Sequence, residues 1–126
     1  MLSESIKTRL IDVVGKDYFQ DSNEARLVYS YDATPNFQAM PDGVIMPQNK
    51  EQISAILKIC SETGIPIVPR GSGTNLSAGT CPTEGGIVLL FNYMNKILEI
   101  DEENLTATVQ PGVITLNIIQ AVEEKG

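Results

Sequence analysis

Residues 43–68 carry the pattern that most restricts the fold of this chain: an apolar strand, an amphipathic helix and a second apolar strand. The strands are predicted at Val44–Met46 and Ile65–Val68, and Asn49 with Gln52 forms a helix-capping pair between them. The apolar face of the helix is predicted to consist of Ile53, Ile56, Leu57 and Cys60. Two strands joined by a helix are almost always parallel with a right-handed crossover. The segment therefore predicts a parallel sheet covered by a helix.

The residues before this unit predict helices followed by an irregular segment. Glu4–Val14 places apolar residues at helical spacing, and Asp21 with Glu24 has the form of a capping box that opens a second, short helix. The segment Tyr31–Pro41 is predicted to be irregular.

The residues after the unit predict one more strand, a hairpin and a helix. The strand is expected at Gly86–Phe91, and the hairpin at Ile97–Ile100 and Leu105–Gln110. The buried stripe of the last helix is predicted to be Ile118, Ile119 and Val122. A two-stranded hairpin needs more strands for stability, so we expect the chain to be a truncated piece of a larger protein.

An uncharged loop, Gly71–Thr80, follows the second strand of the unit. It contains three glycines and several short hydroxyl and amide side chains, and Arg70 is the only cation near it. Glycine permits positive φ, and successive amides in such a backbone form a concave anion-binding nest. The loop also leaves the carboxyl end of a predicted parallel strand, where open α/β sheets bind ligands. This combination favours a diphosphate as the ligand.

Two familiar phosphate loops do not match this sequence. The dinucleotide fingerprint needs a third glycine where Leu76 stands, and the P-loop needs a lysine that the loop lacks. On composition alone, a flexible surface connection remains the alternative interpretation.

Composition excludes several classes of function. The 126 residues carry a formal charge of −7 without any basic cluster, which excludes a nucleic-acid partner. The absence of histidine removes the commonest general base and metal ligand. Cys60 and Cys81 are too few for a metal site and are predicted to be free thiols. With no transmembrane segment or signal peptide in the sequence, the chain is expected to be cytoplasmic.

Two acidic segments are predicted to have no catalytic or metal-binding role. Asp32, beside Tyr29 and Tyr31, is expected to be a solvated aspartate near a helix end. Asp101–Glu103 is expected to be a solvated hairpin turn.

Four stretches of the chain resemble the FAD-linked oxidase family of the vanillyl-alcohol-oxidase type, most of all its members that oxidise glycolate or D-lactate. The similar stretches are Ile67–Gly79, Gly85–Leu89, Met94–Asp101 and Thr106–Val113. The resemblance covers about two thirds of the chain and is weak before about Asp42.

The resemblance implies an α+β fold in which FAD lies between two subdomains. It divides the chain into an N-terminal helical lead-in at 1–41, a first β-α-β-β subdomain at 42–95 and the start of a second, mainly antiparallel subdomain at 96–126. The residues implied to contact the cofactor are Pro69, Arg70, Gly71, Ser72, Gly73, Thr74, Leu76, Ser77, Ala78, Gly79, Pro111, Gly112 and Val113. Some relatives attach FAD through a histidine where Thr74 stands here, so the cofactor is expected to be non-covalent.

The resemblance also implies a function, the oxidation of a small 2-hydroxy acid by hydride transfer to FAD. In that family the substrate domain and its histidines follow the FAD domain, so no catalytic residue is assigned to this chain. Alone, the chain is expected to be inactive and to self-associate through an uncovered sheet edge. The alternatives are a non-catalytic nucleotide-binding or partner-dependent truncated module, and a reductase of peptidoglycan precursor synthesis with the same domain type.

Overall fold

The computed structural model describes residues 1–126 and has two sheets and four α-helices. The helices are α1 Glu4–Val14, α2 Asn23–Val28, α3 Lys50–Thr63 and α4 Thr115–Glu123. The strands are β1 Phe19–Gln20, β2 Gly43–Ile45, β3 Ile67–Arg70, β4 Ile87–Leu90, β5 Ile97–Asp101 and β6 Thr106–Val109. No helix has the length and apolar character needed to cross a bilayer.

The first sheet has the strand order β1-β2-β4-β3. Strands β2 and β3 both run parallel to β4, which lies between them, and β1 pairs antiparallel with β2 at the edge. The predicted parallel orientation of the two strands is thus confirmed, although they are not neighbours. Every residue of β2 and β4 is buried, as expected for central strands covered on both faces.

Helices α1 and α3 pack on one face of this sheet and form the main core. Its buried members are Leu10, Val14, Phe19, Ile45, Ile56, Ile59, Cys60, Ile87 and Leu89. The predicted α3 face was wrong at Leu57, which is 47% exposed, while Ile59 is buried. Successive helix residues are rotated by about 100°, which places Leu57 beyond the buried arc centred on Ile56.

The ends of the helices confirm one predicted cap and correct another. The side chain of Asn49 accepts a hydrogen bond from the amide of Gln52, and α3 ends at Gly64 in the left-handed region. Helix α2, by contrast, is capped by Ser22 and not by Asp21, whose carboxylate pairs with Lys7 instead.

The first 41 residues contribute directly to the first sheet. Helix α1 buries Leu10 and Val14 in the main core, and β1 extends the sheet. The bounds 1–41, 42–95 and 96–126 stay a prediction, but the core includes residues from both sides of the first boundary.

The second sheet is the predicted antiparallel hairpin β5-β6, which is confirmed. Asp101 forms its turn by accepting hydrogen bonds from the amides of Glu103 and Asn104. The predicted burial of the α4 stripe was wrong, because Ile119 is 44% and Val122 is 38% exposed. No residue from 95 to 126 is buried, since no further layer packs on this part of the chain.

Candidate cofactor-binding site

The loop Gly71–Thr80 leaves β3 at the carboxyl end of the strand and is neither helix nor strand. Gly73 has φ of +70°, and Ala78 has φ of +54°. Gly73 thus uses the positive φ that glycine permits, whereas Gly71 and Gly79 do not. The backbone is therefore left-handed at Gly73 and Ala78, and positive φ is one element of an anion nest.

The loop has a run of backbone amides without partners in the chain. None of the backbone N–H groups of residues 71–77 donates a hydrogen bond within the chain. Unpaired backbone donors in a folded protein require water or a ligand as the acceptor. A run of them, in a loop without charged side chains, fits a diphosphate without repelling it.

Arg70 is buried between the loop and the segment Tyr29–Tyr31. Its side chain is buried, and its Nη1 donates a 2.6 Å hydrogen bond to the carbonyl oxygen of Tyr31. The guanidinium also stacks 5.3 Å from the ring centre of Tyr29 and lies so close to Gly73 that a Cβ there would overlap it. The positive charge thus lies next to Gly73 of the loop.

Asp32 contacts the loop, which corrects the prediction of a solvated aspartate. It is only 8% exposed. Its carboxylate accepts hydrogen bonds from the amide of Thr34 at 2.8 Å, from Asn75 Nδ2 at 2.6 Å and from Thr80 Oγ1 at 3.1 Å. Hydrogen bonds from Thr34, with further ones from Asn75 and Thr80, hold the pKa of Asp32 well below its ordinary range.

Sequence reasoning missed Asp32 because its loop partners are more than forty positions away in the chain. One local signal was available, since an aspartate two residues before a threonine is typical of an Asx turn.

Both cysteines are free thiols, as predicted. Cys81 lies at the end of the loop, where burial, and next the neighbouring charge of Asp32, raises the pKa of its thiol. Burial likewise raises the pKa of Cys60 in the core. Neither thiol is therefore an activated nucleophile.

The turn Pro111-Gly112-Val113 lies beside the start of the loop. The amide of Gly112 donates to the carbonyl oxygen of Met94 at 2.8 Å, and a Cβ on Gly112 would overlap the carbonyl oxygen of Phe91. A Cβ on Gly71 would lie 3.9 Å from the carbonyl oxygen of Pro111. The two segments predicted to contact the cofactor are thus brought together although forty residues separate them.

A cavity of about 290 Å³ opens between the loop and this turn. It is lined by Gly71, Ser72, Asn92, Asn95, Gly112, Ile114 and Asn117. The three asparagines were not predicted, and single asparagines in loops and helix ends carry no pattern that would have indicated them.

The remaining predicted residues are distributed around the loop. Pro69 is exposed in β3, and Thr74, Leu76 and Ser77 are exposed on the loop itself. Leu76 is 71% exposed.

Residues 41–126 match the family described as FAD binding domain. The chain belongs to the FAD-binding domain family. The match confirms both the predicted family and FAD as the cofactor. The α+β fold, with its mixed sheet and separate antiparallel hairpin, is also confirmed.

Curated relatives extend the similarity to the whole chain. Glycolate oxidase subunit GlcD of Bacillus subtilis is 69% identical over 126 residues, which cover 100% of this chain and 27% of that protein. D-2-hydroxyglutarate dehydrogenase of Stutzerimonas stutzeri is 39% identical over 98 residues, covering 78% of this chain and 21% of that protein. The chain thus spans about a quarter of the length of these relatives. The first relative also shows that the N-terminal 41 residues carry more similarity than the sequence patterns indicated.

Solved structures give the same fold. p-Cresol methylhydroxylase with substrate bound has a TM-score of 0.84 at 25% identity, over 98% of this chain and 26% of that one. 4-Ethylphenol oxidase from Gulosibacter chungangensis has a TM-score of 0.82 at 29% identity, over 99% of this chain and 26% of that one.

The geometry of the loop fits FAD. The cofactor carries a diphosphate, for which the unpaired amides of residues 71–77 are suitable donors. Gly73, with positive φ and no Cβ, lets the guanidinium of Arg70 approach the backbone of the loop closely.

Proposed function

We propose that this chain is the FAD-binding part of a larger flavin-dependent oxidoreductase that oxidises a 2-hydroxy acid of the glycolate or D-lactate type. The observation that carries the proposal is the 69% identity to a glycolate oxidase subunit along the whole chain. Other relatives are named for D-2-hydroxyglutarate and D-lactate, which are also 2-hydroxy acids.

In this proposal the loop and the turn hold the cofactor. The amides of residues 71–77 bind the diphosphate, and Arg70 adds a positive charge next to Gly73. The proposed contact residues are Pro69, Arg70, Gly71, Ser72, Gly73, Thr74, Leu76, Ser77, Ala78, Gly79, Pro111, Gly112 and Val113. Thr74 has no nucleophilic ring nitrogen, so the cofactor is held without a covalent bond.

Bound FAD supplies the redox chemistry by accepting a hydride from the carbon that bears the substrate hydroxyl. The residues of this chain bind and orient it. The chain contains no histidine to take the hydroxyl proton, and no cluster of acidic or sulfur ligands that could hold a metal. We therefore place the catalytic base outside these residues and expect the chain alone to be inactive.

Anaerobic reduction of the flavin tests this proposal. The larger protein is purified with FAD and mixed separately with glycolate, D-lactate, D-2-hydroxyglutarate and p-cresol. We expect at least one 2-hydroxy acid to bleach the visible flavin absorbance and p-cresol to have no effect. Bleaching by the phenol alone, or purification without any affinity for FAD, would contradict the proposal.

A further inference from the structure

Four consecutive residues, Tyr31–Thr34, bind the loop Gly71–Thr80 and the arginine before it. The carbonyl oxygen of Tyr31 accepts from Arg70, at the start of the loop. The amide of Ala33 donates to the carbonyl oxygen of Gly73 at 3.1 Å. We call this segment the loop clamp.

The clamp holds the second half of the loop as well. Thr34 Oγ1 accepts from the amide of Ala78 at 2.8 Å, and Asp32 accepts from the side chains of Asn75 and Thr80. Thr80 Oγ1 also lies 3.0 Å from the side-chain oxygen of Asn75, which closes a small network around the carboxylate. The clamp therefore contacts the loop at its beginning, middle and end.

These bonds leave the loop's amides unpaired. The clamp engages the loop through the carbonyl of Gly73, the side chains of Asn75 and Thr80, and only one loop amide, that of Ala78. The N–H groups of residues 71–77 have no hydrogen-bond partner within the chain. A loop of glycines and small residues would otherwise have many conformations, and fixing one of them on binding would cost affinity.

Asp32 is the central member of the clamp because it is the only charged one. A carboxylate accepts hydrogen bonds more strongly than a neutral oxygen and cannot donate back to its partners. It fixes the orientation of Asn75 and Thr80 and accepts no hydrogen bond from the amides of residues 71–77.

We propose that Asp32 is a positioning residue for FAD, which holds the loop Gly71–Thr80 in its cofactor-binding conformation through Asn75 and Thr80. The inference rests on the proposed function only for the identity of the ligand. It assigns a cofactor-related role to a segment that lies outside the family match at residues 41–126.

The test compares Asp32→Ala with Asp101→Ala in the larger protein. Asp101 is a matched control, since its carboxylate also orders a turn by accepting from two amides and an asparagine side chain, but in the β5-β6 hairpin. FAD affinity is measured by titration of the apoprotein. We expect Asp32→Ala to raise the Kd for FAD roughly 10- to 100-fold, the factor for losing one charge-assisted hydrogen bond. Asp101→Ala should leave the Kd unchanged.

Two further readouts separate positioning from general loss of structure. At saturating FAD, flavin reduction in Asp32→Ala should return to the wild-type rate, because Asp32 touches no reacting atom. In a Thr80→Val background, Asp32→Ala should raise the Kd for FAD by a clearly smaller factor than it does in the wild-type protein, because the two residues act through one network. Independent effects of the two substitutions would contradict the proposed route through Thr80.

The outcomes distinguish this inference from the proposed function. If the wild-type protein binds FAD and is reduced by a 2-hydroxy acid, but Asp32→Ala keeps the wild-type Kd, the proposed role of Asp32 is contradicted. The proposed function is then still supported. If the wild-type protein does not bind FAD, both fail. Should Asp32→Ala not fold, Thr80→Val and Thr34→Val decide the question, since each removes one hydroxyl from the network at nearly constant volume. Wild-type affinity in both would overturn the inference.

Discussion

The two sheets of this molecule differ in what surrounds them. Strands β2 and β4 of the first sheet are buried throughout, between helices α1 and α3 on one side and a smaller apolar cluster on the other. The hairpin β5-β6 and helix α4 contain no buried residue, although the hairpin is paired along its length apart from one irregularity between Ile97 and Glu99.

This difference shows that backbone hydrogen bonding and the local sequence pattern are enough to form a strand or a helix. They are not enough to bury its apolar side chains. The candidate site lies between the two regions. Its loop continues directly from β3 of the first sheet and is bound by the clamp, whereas the turn Pro111–Val113 belongs to the uncovered region. We therefore expect the first region, residues 1–94, to contribute most of the free energy of unfolding. The second region, residues 95–126, is expected to need another protein surface to bury its apolar side chains.

The largest effect should come from equal truncations in the two regions. Ile56→Ala removes a fully buried side chain from α3, and we expect it to lower the free energy of unfolding by about 2–5 kcal/mol. Ile119→Ala removes the same atoms from α4, where the side chain is 44% exposed, and should cost less than about 1 kcal/mol. Urea unfolding of the chain followed by circular dichroism measures both. Equal losses would show that the second region has a core comparable to the first.

A smaller effect is expected at the loop, from Gly73→Ala. The new methyl group would meet the guanidinium of Arg70 at a φ of +70°, so the backbone must change. We expect a loss of FAD binding free energy of about 1–3 kcal/mol in the larger protein, the usual cost of a strained backbone. The matched control is Gly64→Ala, which has φ of +68° but open space around its Cβ and lies at the end of α3. Calorimetric titration with FAD should show weaker binding by the Gly73→Ala protein and unchanged binding by the Gly64→Ala protein. Unchanged FAD affinity in Gly73→Ala would remove this loop from the site.

The sequence was sufficient for features whose cause is local. The parallel strands, the Asn49 cap, the Gly64 terminus and the turn conformation of the loop all follow from patterns within a few residues, and the structure has them. The resemblance to a family supplied the cofactor, which glycine content alone could not distinguish from other phosphate ligands.

The predictions that were wrong concern features that depend on contacts between residues distant in the sequence. Whether Leu57 or Ile59 faces the core is decided by the position of α1, and whether α4 is buried is decided by what packs on it. The role of Asp32 depends on two side chains more than forty residues later. None of these is encoded within a window of neighbouring residues.

A third prediction concerns the pH dependence of stability. The pKa of Asp32 is lowered by its hydrogen bonds in the folded chain, so folding favours its ionised form. Its stabilising contribution is therefore fully present above the ordinary aspartate pKa of about 3.9, and it is lost as the pH falls below that value toward the lower folded pKa. The difference in unfolding free energy between wild type and Asp32→Asn should be constant from about pH 7 to pH 5 and should shrink below about pH 4. Urea unfolding at each pH measures it, and a difference that grows on acidification would contradict the assigned ionisation.

The smallest expected effect is weak self-association of the chain through the uncovered region. Helix α4 and the segment before it expose Ile114, Leu116, Ile119 and Val122 side by side, and apolar patches of this kind tend to be covered. Light scattering over a range of concentrations should show an apparent mass that rises with concentration. Ile119→Lys should reduce this rise, because it places a charge within the patch. Leu57→Lys is the matched control, since Leu57 is 47% exposed on α3 in the other region and should leave association unchanged. A chain that stays monomeric at high concentration would show that the exposed face of α4 does not need a covering surface, and so would an equal response to both substitutions. The two regions would then differ in stability alone.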